Sequence, residues 1–255
     1  MGTGEGCHME GHNCIPCWQI EHAQSMVPPI RFGENHIPHG IHMLRAMRSQ
    51  DVRRDNVVTR TLLRLSTTMA VPAEFTILNI TGKFSMNKTL TNGNDTDTIL
   101  RLQGVGWFKR SVIAKSTITL YVKHYKDDAG VEHIDIDQGS GIPGTREERE
   151  LNWQEREVND SLFGPVVGKS RRVQASEVTE PFLATQWTAD TFEHGLVESY
   201  VYSDTPRSGT TWIAHQTWGM EEIDGVRRYA RHVKFIGPQG EVIETKLVYD
   251  YLGGL

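Results

Sequence analysis

Three histidines and one aspartate are the side chains of this chain best suited to move a proton near neutral pH. His133 and Asp135 are separated by one residue in an alternating segment, so they lie on one face of a predicted strand. That face either meets water or lines an interior, where the pair could orient a ligand or transfer a proton. His215 and His232 lie on two later predicted strands. These four residues form the candidate catalytic set.

No recognised catalytic motif accompanies these residues. The sequence contains no nucleophile elbow, phosphate loop, dinucleotide fingerprint or His-Glu-x-x-His pair, so no cofactor is expected. The net charge is −5, and the one basic run, Arg227–Lys234, is isolated in an acidic region, which argues against nucleic-acid binding. No stretch of about 18 apolar residues is present, so no membrane span is expected. An acidic start without an apolar segment favours a cytoplasmic protein.

The composition changes near Met69. Residues 1–68 hold all three cysteines and six of the eleven histidines, but neither lysine nor tyrosine. We predict that residues 1–68 form a poorly structured leader, either a tail or the product of an upstream start codon, and that residues 69–255 form the compact domain. A targeting segment is a second interpretation. A third is a zinc knuckle, because thiolates and imidazoles at this spacing can close a tetrahedral shell. Its ligands would be Cys7, His12, Cys14 and Cys17.

Tryptophans are the candidate walls of a binding site. Trp212 and Trp218 share one face of a predicted strand, whereas His215 lies on the other face. Trp107 begins a predicted helix, and Trp153 falls in a predicted strand region. Large aromatic side chains serve apolar ligands and ordinary core packing equally well, so both interpretations stay open.

The elements that would position these residues are mainly strands. From Val71 onward the sequence alternates with period two between turn residues, and we predict nine or ten strands. Successive hairpins without long crossovers favour an antiparallel, up-and-down β-barrel. Two short helices are predicted within Asp95–Lys115, with Asp95 or Thr96 as the first cap. A further helical turn is predicted near Glu177–Ala184, bringing Phe182 and Leu183 against the barrel.

A family resemblance rests on the stretch from Ile80 to Tyr125. It reads Thr-Gly-Lys-Phe-Ser-Met, then Leu-Gln-Gly-Val-Gly-Trp-Phe, then Thr-Ile-Thr-Leu-Tyr-Val. This order of strand, helix pair and strand resembles the fatty-acid-binding-protein branch of the calycins, with Phe84 where that family has tryptophan. It is also similar to small fungal lipocalin-like proteins. The resemblance implies a single calycin-like barrel with a helix pair between its first two strands.

The same resemblance implies a small hydrophobic or amphipathic ligand as the partner. The family often holds a carboxylate with an Arg-x-Tyr arrangement on its last strand, where this chain has Tyr249-Asp250-Tyr251. Arg228 or Arg231 with Tyr251 could rebuild such an anion clamp. Which face of each strand points inward, and the oligomeric state, stay open.

We therefore expect intracellular binding of a small hydrophobic or amphipathic ligand in a barrel cavity. The alternative is a cofactor-free isomerase or cyclase acting on a secondary-metabolite intermediate, because the fungal lipocalin-like proteins include such enzymes. A third class, a purely structural protein, predicts a filled apolar interior instead of a cavity. The expected ligand-binding residues are Trp107, His133, Asp135, Trp153, Trp212, Trp218, Arg228 and Tyr251.

Overall fold

The computed structural model describes residues 70–140 and 142–255, which form ten strands and five short helices. The strands are β1 (Gly82–Met86), β2 (Thr119–Lys126), β3 (Glu132–Ser140), β4 (Ile142–Glu150), β5 (Arg156–Asp160), β6 (Gly164–Val173), β7 (Leu196–Ser203), β8 (Ile213–Ile223), β9 (Val226–Ile236) and β10 (Val242–Gly253). The helices are α1 (Gly93–Leu102), α2 (Trp107–Lys115), α3 (Pro181–Ala184), α4 (Ala189–His194) and α5 (Thr205–Ser208).

The strands form one antiparallel sheet in the order β4-β3-β2-β1-β10-β9-β8-β7-β6-β5. Consecutive strands pair with each other except β4 and β5, and β1 also pairs with β10. Among the described residues no ladder joins β4 to β5, so the curled sheet has one seam between these two edge strands. The predicted all-β, calycin-like architecture with a helix pair between the first two strands is confirmed.

The helix pair begins earlier than the sequence prediction placed it. Asn92 precedes α1, and its Oδ1 accepts hydrogen bonds from the amides of Asn94 at 3.0 Å and Asp95 at 3.3 Å. The predicted cap at Asp95 or Thr96 was wrong because Asn92 already satisfies these first amides. Gly104, with φ +84°, then allows the sharp turn towards α2.

One end of the sheet interior, the packed end, is filled by apolar side chains. Phe84, Val122, Ile134, Met220 and Tyr229 are fully buried there. Phe84 and Tyr229 lie with ring centroids 5.2 Å apart. This packing joins the first three strands to β8 and β9, and it supplies the main core of the domain.

The packed end also contains a well-paired carboxylate. Glu132 Oε1 lies 2.7 Å from His124 Nε2, and Arg172 donates to the same carboxylate. The amide of Ile80 donates to His124 Nδ1 at 3.2 Å, so the Nε2–H of this tautomer is directed at Glu132. Burial alone raises the pKa of Glu132, but the hydrogen bonds and charges of His124 and Arg172 lower it to about 2.

A short helical layer covers the outer face of β7–β9. Leu183 of α3 and Trp187 pack against Ala230, and Thr217 Oγ1 donates to the carbonyl of Leu183 at 2.7 Å. The predicted helical turn near Glu177–Ala184 corresponds to a 3₁₀ turn, Ala175–Glu177, followed by α3. Leu183 therefore packs against the sheet from outside.

In the part of the chain that the structure describes, none of the helices has both the length and the apolar character to cross a membrane. The predicted leader, residues 1–68, and the alternative zinc ligands Cys7, His12, Cys14 and Cys17 lie outside the described residues.

Candidate functional site

A cavity of about 280 Å³ occupies the other end of the sheet interior, the cavity end. The helix pair contributes Ile99 and Ile113 to its wall. The strands contribute further apolar side chains, among them Val201, Trp212 and Val233. A partly open space with mainly apolar walls suits a small organic molecule. The interior at this end is therefore not filled by side chains, whereas a purely structural barrel was expected to have a filled interior.

Three charged side chains stand between the cavity and the packed end, and we call them the arginine cluster: Glu147, Arg149 and Arg231. Glu147 Oε2 accepts from Arg149 Nη2 at 2.8 Å and lies 3.7 Å from Arg231 Nη1. Arg149 Nη1 donates across the interior to Ser199 Oγ at 2.8 Å. The cluster therefore links edge strand β4 to β7 and β9 on the opposite wall.

The two-residue alternation of side chains along the strands places the arginine cluster in the interior of the curled sheet. Arg149 pairs with Ile134, and Glu147 pairs with Ile136, in the register of β3 and β4. Directly paired residues of an antiparallel ladder share a face, and both isoleucines are fully buried. Arg231 shares its face of β9 with the buried residues Tyr229 and Val233.

Arg231 is a buried cation whose pairing is incomplete. The residue is 4% exposed, its Nε donates to Tyr229 Oη at 3.0 Å, and its guanidinium lies 4.0 Å from the ring centroid of Trp218. Its Nη2 has no hydrogen-bond partner among the residues that the structure describes. A buried donor without a partner costs free energy, so this atom is a candidate point of ligand contact.

The opposite charges within the arginine cluster keep its members ionised. Burial alone raises the pKa of Glu147, but Arg149 and Arg231 hold it below its usual range. Burial alone lowers the pKa of Arg231, but Tyr229, Tyr249 and Glu147 hold it above its ordinary value. Burial raises the pKa of Tyr249. Near neutral pH the cluster therefore contains two cations and one anion, an excess of one positive charge.

Trp212 supplies a second donor without a partner. It lines the cavity and is 2% exposed, and within the described chain nothing accepts a hydrogen bond from its Nε1. Trp218, by contrast, donates from Nε1 to Gln216 Oε1 at 3.2 Å. Of the two predicted aromatic wall residues, Trp212 lies at the cavity, and Trp218 lies against the arginine cluster.

His133 and Asp135 lie on the outer face of β3, away from the cavity. His133 Nε2 is 3.0 Å from Asp127 Oδ2, and its ring stacks on Tyr125. Asp135 accepts from Tyr125 Oη at 3.3 Å and lies 3.7 Å from Arg146 Nη2. The two candidate residues are thus part of a surface network.

The other two candidate histidines also face outward from the sheet. His215 Nε2 lies 2.7 Å from Glu198 Oε1. His232 is fully buried beneath the outer helical layer, with Nε2 2.8 Å from Glu221 Oε2 and its ring stacked on Trp187. The structure therefore does not bring the four candidate catalytic residues together.

The remaining predicted ligand-binding residues are dispersed. Trp107 is 72% exposed at the start of α2. Trp153 lies beside Arg171, 4.3 Å from ring centroid to guanidinium, outside the cavity. Arg228 pairs with Asp250. Tyr251 packs on Phe75 with centroids 5.1 Å apart, so Arg228, Arg231 and Tyr251 do not form one clamp.

Comparison with known proteins identifies the family, although no family model matches the chain. The probable pericyclase scpY of Mollisia scopiformis is 30% identical over 187 residues, covering 72% of this chain and 95% of that protein. The pericyclase pydY of an Acremonium species is 30% identical over 189 residues, covering 72% of this chain and 98% of that protein. The chain belongs to this pericyclase family.

Among solved structures, the crystal structure of the wild-type fluorescent protein UnaG is similar, with a TM-score of 0.40 and 14% identity. The matched region covers 68% of this chain and 96% of UnaG.

Sequence reasoning missed Glu147 and Arg149. They belong to the run Arg146-Glu147-Glu148-Arg149-Glu150, which looks like a solvated edge strand because both of its faces are charged. The available signal was the strand prediction itself, since one face of a barrel strand must point inward even when neither face is apolar. In this pericyclase-family chain the inward charges meet Arg231, and the result is a charged wall beside an apolar cavity.

Proposed function

We propose that this chain is an enzyme that accelerates a pericyclic ring closure of a small conjugated substrate held in the cavity. Its membership of a family whose relatives are named pericyclases supports this proposal. The structural observation that carries it is the unpartnered Nη2 of Arg231 beside a largely apolar cavity. This function corresponds to the cyclase alternative from the sequence.

A pericyclic reaction requires little of the usual catalytic apparatus. New σ bonds form from π electrons of the same molecule in one cyclic transition state, so the product is an isomer of the substrate. No nucleophile, oxidant or leaving group takes part. The enzyme contributes chiefly by holding the flexible chain in its reactive conformation, which removes entropy from the barrier. The apolar wall between the helix pair and β9 provides this restriction.

Arg231 provides the electronic contribution. A carbonyl conjugated with the reacting π system would accept a hydrogen bond from Nη2, and this bond draws electron density away from the reacting carbons. A fixed donor in an environment with little water acts more strongly than the same donor in bulk solvent. Arg231 is oriented by Tyr229 Oη and by the ring of Trp218 before any ligand binds.

The test is conversion of one compound into an isomer of identical mass. The gene is deleted in the source organism, and purified full-length chain is added to an extract of the deletion strain. We expect one accumulated compound to lose conjugated absorbance and to reappear at a new retention time with unchanged mass. The Arg231→Met variant should convert it far more slowly. An extract that shows no mass-neutral conversion would contradict the proposal.

Carriage of a small hydrophobic or amphipathic ligand, the leading expectation from the sequence, is the second candidate. The apolar cavity beneath α1 and α2 favours it. Native mass spectrometry of the full chain from its own host separates the two functions. A co-purified ligand that is released unchanged, and that added protein does not isomerise, would favour the carrier. The cytoplasmic location stays a prediction, testable by fractionation.

A further inference from the structure

The donors of Arg231 are not equally free. Its Nε is used by Tyr229 Oη at 3.0 Å, and its Nη1 faces Glu147 Oε2 at 3.7 Å. Its Nη2 is buried and has no partner within the described residues, and the Nη1 contact with Glu147 is too long for a hydrogen bond. A guanidinium binds a carboxylate through two parallel N–H groups, and at Arg231 the Nη1 member of such a pair already faces the carboxylate of Glu147.

Glu147 occupies the place that a bound carboxylate would take. Its Oε2 lies 2.8 Å from Arg149 Nη2 and 3.7 Å from Arg231 Nη1, so one carboxylate oxygen bridges the two guanidinium groups. A second carboxylate in this position would lie against the negative charge of Glu147. It would also lose its hydration with few donors in exchange.

The remaining free donors suit a different group. Arg231 Nη2 and Trp212 Nε1 each present N–H bonds without an acceptor in the part of the chain described. Both side chains line the cavity. An uncharged oxygen can accept a hydrogen bond from an isolated donor such as Arg231 Nη2, and it does not carry the desolvation cost of an anion.

We infer that the substrate of the proposed ring closure presents one neutral carbonyl oxygen, as in a ketone, ester or amide, to Arg231, and that Glu147 sets this selectivity by excluding carboxylates. This inference rests on the proposed function for the identity of the ligand as a substrate. Without Glu147 the cluster would contain two cations and no anion, so the site would accept a carboxylate.

The experiment uses methyl sorbate and sorbate, two conjugated probes that differ in the charge of one end. Binding to the full chain at pH 7.5 is measured by equilibrium dialysis with ultraviolet detection. We expect the wild type to bind the ester about tenfold or more tightly than the carboxylate. The Glu147→Gln variant should gain about tenfold or more in sorbate affinity, with ester affinity changed by less than about threefold.

Glu148→Gln is the matched control, because it removes the same charge from the neighbouring position, where the side chain is 67% exposed. It should retain the wild-type preference. Wild-type protein that binds sorbate as tightly as the ester would overturn the inference, and this comparison needs no variant to fold. A folded Glu147→Gln variant without a gain in sorbate binding would also overturn it.

The binding readout is independent of turnover. If the ester preference and its reversal are found while no mass-neutral conversion occurs, the inferred ligand chemistry stands and the cyclase proposal fails. If conversion occurs but the wild type prefers sorbate, the cyclase proposal stands and the role of Glu147 is wrong.

Discussion

The two ends of the sheet interior bury charge in different ways. At the packed end, both oxygens of the Glu132 carboxylate are matched by His124 and Arg172, although Arg172 Nη1 has no hydrogen-bond partner among the described residues. At the cavity end, Arg231 is buried more deeply than Glu132, but it has no carboxylate oxygen closer than 3.7 Å. A carboxylate whose oxygens are all paired, such as that of Glu132, stabilises the fold. An incompletely paired guanidinium, such as that of Arg231, retains a donor that a ligand could use.

The apolar residues show the same contrast. Met220 and its neighbours at the packed end are enclosed on all sides. Leu247 contacts the core on one side and the cavity on the other. At the cavity end, side chains lack neighbours on the cavity side and make fewer van der Waals contacts. The stability of the domain therefore depends mainly on the packed end.

The largest expected effect is on packing. Met220→Ala should lower the free energy of unfolding by about 4 kcal/mol because it opens a new void in a filled region. Leu247→Ala, the matched change at the cavity, should cost about 2 kcal/mol, since its side chain already borders empty space. Urea unfolding of both variants measures the difference. Equal losses would show that the two ends do not differ in packing.

The next effect concerns Glu132 and pH. Its folded-state pKa of about 2 lies below the ordinary glutamate value of 4.5, so its contribution to stability is fully present above pH 4.5 and is lost as pH falls towards 2. The shift corresponds to roughly 3 kcal/mol of unfolding free energy, and its side chain is only 16% exposed. Glu132→Gln should be less stable at pH 6 and should lose this acid dependence. If Glu132→Gln loses stability in acid as the wild type does, the acid dependence comes from other groups.

Arg231 should matter for activity more than for stability. Arg231→Met should slow the mass-neutral conversion about 100-fold by removing the polarising donor. Its unfolding free energy should stay equal or rise, because an incompletely paired buried charge is lost. Arg228→Met is the comparison on the same strand: it breaks the pair with Asp250 and should lower stability instead. A destabilised Arg231→Met would make Arg231 a structural residue.

The smallest effect is expected at Trp212. Trp212→Phe retains an aromatic wall but removes the unpartnered Nε1 donor. We expect the conversion rate to fall about tenfold, equivalent to about 1.4 kcal/mol, with little change in the urea midpoint. Initial rates and urea unfolding measure the two quantities. An unchanged rate would remove Trp212 from the set of ligand contacts.

Local patterns were enough to predict much of the fold. Alternation and turn residues gave the antiparallel strands, and the stretch from Ile80 to Tyr125 gave the helix pair between β1 and β2. The shared face of Trp212 and Trp218 also followed from alternation. These features depend on residues close together in the chain, where spacing alone fixes the geometry.

The sequence by itself therefore determined the strand period, the order of elements and the pairs of residues that share a face. Only the tertiary structure decided which face points inward, because that depends on the curl of the whole sheet. It turned His133 and Asp135 outward and turned Glu147 and Arg149 inward, and it brought Arg231 to within 3.7 Å of Glu147 across 84 positions of sequence. Both faces of β4 carry charged residues, so the hydrophobic pattern does not show which face is buried. The direction of Glu147 and Arg149 is determined by their contacts with the opposite wall of the sheet.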